Sequence, residues 1–476
     1  LVEVSLDAWA RKPVEVVLWA DGEGDGCGDQ TIAFGAPAVD GIGPLPPVPG
    51  SAERPNVLLV GLDTMRADHL GAYGRTPSPS PAFDRLAAES DLFENAYSTF
   101  NVTNPSFTSI LTGLWGKNHG VYDLQTVLPE EQTTLAERFS DAGWRTFSVL
   151  AAGHLGPERS GLGQGFDAVD VAAGQYAAES AVDQAIRWIS GLAQDPEPTT
   201  PFFLWLHLFD VHTPHTPPRP FARGLGVDGL TGMAPVAEWS PRRELGLRAF
   251  DEPVLGGHED LYFDELRYLD HQLDRVYDFL ASRGLLETTI VAVVADHGEN
   301  FGEQGLTFRH AGLWDATTHI PLLVRRPGPP GRSGRRFPGL VQSIDLVPTL
   351  LDLAGLEPHT PLDGQDLYEL TENGRGRRAV FAEESDNIAR MVRTHDHLLM
   401  QADPGHPFVD GDLLFDLRAD PEQQVNLIGR GLPVEAELRD LLGRWLRDRR
   451  DRAEATAVEL SEEERQQLQA LGYIDN

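Results

Sequence analysis

One cysteine, Cys27, stands in a chain of 476 residues. No intrachain disulfide can form, so cysteine carries no signal about the redox compartment. Cys27 lies in the Gly/Asp-rich turn DGEGDGCGDQ, a poor setting for a reactive thiol, which needs an electropositive neighbourhood. Long apolar runs are also missing: none approaches the roughly 20 residues that cross a bilayer. Basic residues are scarce, with 39 Lys and Arg against 73 Asp and Glu and a formal net charge of −34. Such a surface repels nucleic acid and anionic lipid, so neither is expected as a partner. An anionic substrate would need local attraction from metal cations or clustered imidazoles. The first residue is Leu1, with no basic segment before an apolar stretch. This reads as a trimmed start and leaves the compartment open.

Hydrophobic content of 41% supports a sizeable core. Three regions are expected. Residues 1–50 are β-rich (VEVSLDAW, VEVVLWAD, TIAFGAPAVD) and end in the Pro/Gly linker GIGPLPPVPGSAERP. Residues 51–355 alternate strand and helix, which predicts an α/β domain with a mostly parallel central sheet between helices. NVLLVGL reads as a strand buried on both faces. In SPAFDRLAAES, Ser80 is the expected N-cap and Pro81 the first helical residue. Tyr262, Leu266, Leu269, Leu273, Val276 and Leu280 recur at helical spacing. The Pro/Gly-rich run 215–260 reads as a long insertion near the site. Residues 356–476 predict a smaller α+β part with antiparallel strands and a terminal helix.

Sites in parallel sheets form beyond the carboxyl ends of the strands. Asp63, the stretch His207 to His212, and Asp296–His297 all fall there. Asp63, Asp296 and His297 suit a divalent metal, being two hard carboxylates and an imidazole; taken singly, each acid would be an ordinary cap for the next helix. Thr103 is the candidate nucleophile, since a metal lowers the pKa of a hydroxyl. Pro105 and Ser106 are expected to turn into the helix SFTSILTGL, whose N–H groups favour an anion. His212 and His310 are candidates for help at the leaving group or for binding oxygen, with His207 and Asp210 beside them. His119 and His154 are weaker candidates. His215, His258, His271, His359, His395, His397 and His406 read as surface residues.

Together these motifs resemble the sulfatase family of the alkaline phosphatase superfamily. RPNVLLVGLDTMRADHLGAYG, TNPSFTSILTG, FFLWLHLFDVHTP and VVADHGENFGEQG follow its segments in order. SIDLVPTLLDLAGL, LLFDLRADPEQQVNLI and LQALGYID are similar to its C-terminal landmarks. The resemblance implies that Asp63, Asp296 and His297 hold a divalent cation. Thr103 would bind the same cation and attack the ester, with His212 near the leaving group and His310 where a sulfate-binding lysine usually sits. It also implies a glycan, lipid or small-molecule ester as substrate and, by family habit, an exported protein.

Four positions depart from the pattern. Thr64 replaces an acid, His297 an asparagine, Phe107 an arginine and Ala152 a lysine. Thr103 cannot become formylglycine, which is made from Cys or Ser. A sulfated threonine has no hemiacetal collapse to release it, whereas phosphate esters of Ser or Thr are routinely opened by water. The expectation is therefore a metal-dependent ester hydrolase with a lean to phosphoesters or phosphoryl transfer. Zn or Mn is favoured and Ca or Mg is the alternative, with a second metal conceivable among Asp210, His212 and His310. The rival readings are a sulfuric ester hydrolase working through unmodified Thr103, and an inactive sulfatase-fold binding module.

Overall fold

The computed structural model describes residues 49–466 apart from 173–176, 193–196, 198, 214, 223–251, 307–309, 330–332, 373, 451–454, 459 and 463–464, and only the backbone of 252–258. The β-rich segment expected over 1–50 lies, but for its last two residues, outside them. The strands are β1 (Asn56–Leu62), β2 (Asp91–Tyr97), the short β3 (Thr126–Val127), β4 (Arg145–Leu150), β5 (Ala168–Val171), β6 (Phe202–Leu208), β7 (Thr289–Ala295), β8 (His319–Ile320), β9 (Leu322–Arg325) and β10 (Arg336–Gln342). The central sheet has spatial order β10-β2-β9-β7-β1-β6-β4-β5, with β8 paired to β2. β1 lies between β6 and β7 and is parallel to both, with Leu62 level with Leu208 and Ala295. β9 is antiparallel to β7 and β2. Every residue of β1, β6 and β7 is buried, as in strands covered on both faces.

The helices follow the sequence pattern with two differences. Helix Pro81–Ala88 starts where Pro81 predicts, but Ser80 makes no side-chain cap. The cap comes from a distant residue: Asp270 accepts the N–H groups of Ala82 (3.0 Å) and Phe83 (2.7 Å). Asp270 sits on helix Glu252–Ser282, which absorbs the last part of the expected insertion. That helix buries Tyr262, Leu266, Leu269, Leu273, Val276 and Leu280, the periodic set.

A second sheet follows, in the order β11 (Val380–Glu383), β12 (Ala389–Arg393), β13 (His397–Ala402) and β14 (Leu413–Asp416). All its pairings are antiparallel. Helix Pro433–Arg447 packs Leu438, Leu442 and Trp445 against it, and the Trp445 ring stacks on Phe381 at 4.8 Å. Among the described residues, no helix is long and apolar enough to cross a membrane.

Candidate active site

The sheet places two carboxylates side by side. The N–H of Asp63 donates to Leu208 O (2.9 Å) and that of Asp296 to Leu62 O (3.1 Å). These bonds carry the ladder one residue beyond β1 and β7. Asp296 Oδ1 accepts the N–H groups of His297 (2.6 Å) and Thr64 (3.1 Å). Thr64 has φ 47°, a left-handed conformation that β-branched residues rarely adopt. Its carbonyl also accepts the Tyr262 hydroxyl at 3.2 Å, so bonds on both sides hold the turn.

His297 Nδ1 lies 2.9 Å from Gly298 O. Donation to that carbonyl puts the ring proton on Nδ1 and leaves a lone pair on Nε2. Nε2 lies 3.4 Å from Asp296 Oδ2 and 3.3 Å from Thr103 Oγ1.

Helix Thr103–Thr112 begins at Thr103, three residues before the Ser106 start expected for SFTSILTGL, so that Asn104 and Pro105 already have helical places. Its N-cap is Val102, which has no side-chain cap. Thr103 is therefore the first helical residue and its hydroxyl does no capping. It points at the acids, 3.5 Å from Asp63 Oδ2. Ser106 Oγ donates to Asp296 O (2.7 Å) and ties this helix to the end of β7.

A cation fits this arrangement. Ligand atoms of Asp63, Asp296 and His297 all lie within 4.8 Å of one another, and all three residues are buried. Asp63 Oδ1 and Asp296 Oδ2 are buried without a hydrogen-bond partner. Burial pushes Asp63 well above the usual carboxylate range. Burial, and then the charge of Asp63, push Asp296 up to about 8. Two such carboxylates facing an imidazole lone pair suit a positive charge between them.

His207, at the end of β6, completes this side, with Nε2 3.3 Å from Asp63 Oδ2. Burial lowers it to about 3, so it is neutral. Phe107 is fully buried and meets the His207 ring edge-on at 5.0 Å, so an aromatic ring fills the place expected of an arginine.

The remaining histidines form one wall. The His310 ring lies 4.5 Å from that of His297 and 5.0 Å from that of His212. His212 Nδ1 is 2.6 Å from Thr213 O, which directs its Nε2 to act as an acceptor, and burial holds the ring neutral. Asp63, Thr103, Asp296, His297, His212 and His310 thus meet at one place.

Asp210 is not grouped with the ligand atoms of Asp63, Asp296 and His297. Its Oδ2 accepts the Ala178 N–H (2.7 Å) at the start of helix Ala177–Leu192, and burial pushes it up to about 7. Through that oxygen it caps the helix, while its Oδ1 is buried without a hydrogen-bond partner. His119 closes a turn, bonded to Ser109 Oγ (3.0 Å) and to the Val121 N–H (3.0 Å). His154 Nδ1 lies 2.8 Å from Asn104 Oδ1, one residue from Thr103.

His215 is corrected from surface to interior: it is buried, with Nδ1 2.7 Å from Glu265 Oε2. The residue that sequence reasoning missed is Glu299. It is fully buried, 3.6 Å from His215 Nε2 and 3.8 Å from His310 Nε2. Its signal was available in DHGE, an acid two places after His297.

Comparison with known proteins bears on the family and the fold. The family model described as Sulfatase matches residues 55–356. An arylsulfatase of Clostridium perfringens is 25% identical over 79% of this chain and 90% of its own length. A multifunctional alkaline phosphatase superfamily protein of Trinickia caryophylli is 24% identical over 79% of this chain and 91% of its own. Among solved structures, a phosphonate monoester hydrolase of Agrobacterium radiobacter superposes with TM-score 0.65 at 21% identity, covering 83% of this chain and 95% of that one.

Proposed function

We propose, from the premise that the chain belongs to the sulfatase family and is a hydrolase of sulfuric or phosphoric esters, that Thr103 is its nucleophile and that phosphoesters are its preferred substrates. The observation that carries this reading is the position of Thr103 Oγ1, 3.3 Å from His297 Nε2 and 3.5 Å from Asp63 Oδ2. The hydroxyl thus shares its surroundings with the atoms suited to a cation. A divalent cation held by Asp63, Asp296 and His297, with Zn or Mn favoured by the imidazole, supplies charge that makes a hydroxyl nucleophilic near neutral pH and neutralises ester oxygens.

The chain's own residues do the rest. Thr103 Oγ1 attacks the central atom of the ester, and its proton passes to a basic neighbour. The start of helix Thr103–Thr112 points its N–H groups at the anion. The departing oxygen takes up that proton and leaves as the alcohol past His212 and His310. Water then opens the threonyl ester, and the acceptor Nε2 of neutral His212 suits it to take the proton from that water. Most of this work is positioning and charge stabilisation, which suits phosphoryl transfer. A threonine cannot become formylglycine, and the buried Phe107 leaves its place without a cation. Both features support phosphoester over sulfate.

The second reading, a sulfuric ester hydrolase, is favoured by the family itself and by neighbours such as a structure solved with D-glucosamine-2-N,6-O-disulfate. The test is turnover of p-nitrophenyl sulfate, p-nitrophenyl phosphate and bis-p-nitrophenyl phosphate by the chelated protein, with Zn, Mn or Ca added back. Thr103→Ala is expected to lower metal-dependent phosphoester kcat/KM by about 10³-fold or more, roughly 4 kcal/mol of transition-state stabilisation. Sulfate turnover that depends on Thr103 and exceeds phosphoester turnover would overturn the preference. Undiminished turnover by Thr103→Ala would overturn the nucleophile.

A further inference from the structure

The segment before Thr103 and the segment after His310 are joined through a residue of the second sheet. β11 ends at Glu383, and the next residue, Glu384, is 4% exposed. Glu384 Oε1 accepts the Gly312 N–H at 2.7 Å and Asn101 Nδ2 at 3.2 Å. Its Oε2 lies 2.8 Å from His406 Nε2. The N–H groups of Phe408 and Val409 donate to His406 Nδ1 at 3.1 and 3.0 Å. The ring proton therefore sits on Nε2, and His406 donates to Glu384. This also corrects the reading of His406 as a surface residue, since its side chain is fully covered.

Asn101 closes the arrangement. Its Nδ2 also donates to the carbonyls of His310 and Gly312, the latter at 3.3 Å, and its Oδ1 accepts the Ser385 N–H at 3.1 Å. Asn101 stands two residues before Thr103, and Gly312 two residues after His310. Gly312 has φ +75°, and a Cβ there would lie 1.7 Å from the Trp314 ring, so this turn has little room to rebuild itself. Glu383 grips the same region. Its N–H donates to Thr99 O (2.9 Å), and its Oε2 accepts the Lys117 N–H (2.9 Å) beyond the far end of helix Thr103–Thr112.

We propose that Glu384 is a positioning residue: it holds the His310 segment in register with Thr103, so that the C-terminal sheet is a working part of the active site. Its kinetic consequence rests on the Thr103 reading; its structural content does not. Buried hydrogen-bonded hubs of this kind fix one arrangement because any unmade bond leaves a desolvated group unpaired.

The experiment compares the full-length, metal-loaded protein with Glu384→Gln, Glu384→Ala and Asn101→Ala, alongside Thr103→Ala. Glutamine keeps the volume and the oxygen facing Gly312 and Asn101, and spoils only the side facing His406. Glu384→Ala is expected to speed amide exchange at 310–313 and 99–102 by about 10-fold or more. It should lower kcat about 10–100-fold, with metal affinity within about threefold of wild type. Glu384→Gln should show wild-type exchange in those two segments, a kcat within about threefold, and faster exchange only near 403–409. Asn101→Ala should likewise speed exchange at 310–313 by about 10-fold or more, which keeps the test if Glu384→Ala does not fold.

Wild-type exchange at 310–313 in both alanine variants would overturn the proposal. So would a glutamine variant as damaged in both segments as the alanine one, since Glu384 would then merely support His406. Undiminished turnover by Thr103→Ala would sink the nucleophile, and the exchange comparison would still decide the role of Glu384.

Discussion

Residues that share a chemical type do different work here because burial and partners differ. Asp63 and Asp296 face each other and an imidazole, whereas Asp210 and Asp270, also strand-end or helix acids in the sequence, cap helices. No sequence pattern separates these cases, since the deciding N–H groups come from distant segments. Glu383 offers a test of how burial acts on one carboxyl. It is fully buried, accepts the Lys117 N–H, and is pushed from 4.5 up to about 7, chiefly by desolvation. A raised folded-state pKa means that the fold prefers the protonated acid. Wild-type stability should therefore fall as pH rises from about 4.5 to about 7 and then level off, by up to a few kcal/mol at roughly 1.4 kcal/mol per unit. Glu383→Gln keeps an acceptor for Lys117 and cannot ionise. The expected outcome is a melting temperature close to wild type near pH 5 that gains on wild type toward pH 8. Thermal melts of the two proteins at matched salt check this, and a difference that does not vary with pH would remove burial of the charge as the cause.

At the level of elements, the site depends on how closely helix Thr103–Thr112 can lie on β1. Gly61 makes that approach possible: a Cβ there would fall 2.5 Å from the Phe107 ring and 3.1 Å from the Trp205 indole nitrogen. Gly61→Ala should cost about 1–3 kcal/mol by overpacking. It should also weaken metal binding, because Asp63 lies two residues further along the same strand. Adding Phe107→Leu should recover part of both losses, and a double-mutant cycle on denaturation midpoint and metal affinity measures the coupling. Additive losses would mean that the two residues do not share this contact. The main elements here were legible beforehand: β1, β6 and β7 announced themselves as apolar runs ending in an acid or histidine, and Tyr262 to Leu280 as a helical stripe. The start of helix Thr103–Thr112 was not, since Pro105 is as compatible with the first turn of a helix as with a turn before it. Most of the candidate site could be read because its members follow strands directly. The burial of His215 and the Glu384 hub could not, because each is defined by a partner far away in sequence; Glu299 stood in DHGE, but its meeting with His215 and His310 was not written there.

Over the whole molecule, a formal charge of −34 surrounds a site suited to an anionic ester, so attraction must come from within the site. The same site carries a structural cost when no cation is bound, because Asp63 and Asp296 are both buried beside each other. A cation held there would therefore be linked to folding. A ligand that binds only the folded state stabilises it by RT ln(1 + [L]/Kd), about 3–4 kcal/mol at 100 to 1,000 times Kd. Chelation should lower the melting temperature, and Zn or Mn added back should restore it. Asp296→Asn separates this from any general effect of divalent cations on so acidic a surface. It removes one of the two facing charges, so the chelated variant should melt above chelated wild type. It also removes a ligand, so added metal should stabilise it far less than wild type. Differential scanning calorimetry of both proteins, with and without metal, gives all four values. Equal metal-induced shifts in the two proteins would place the stabilising cations on the surface and remove the buried site as their cause.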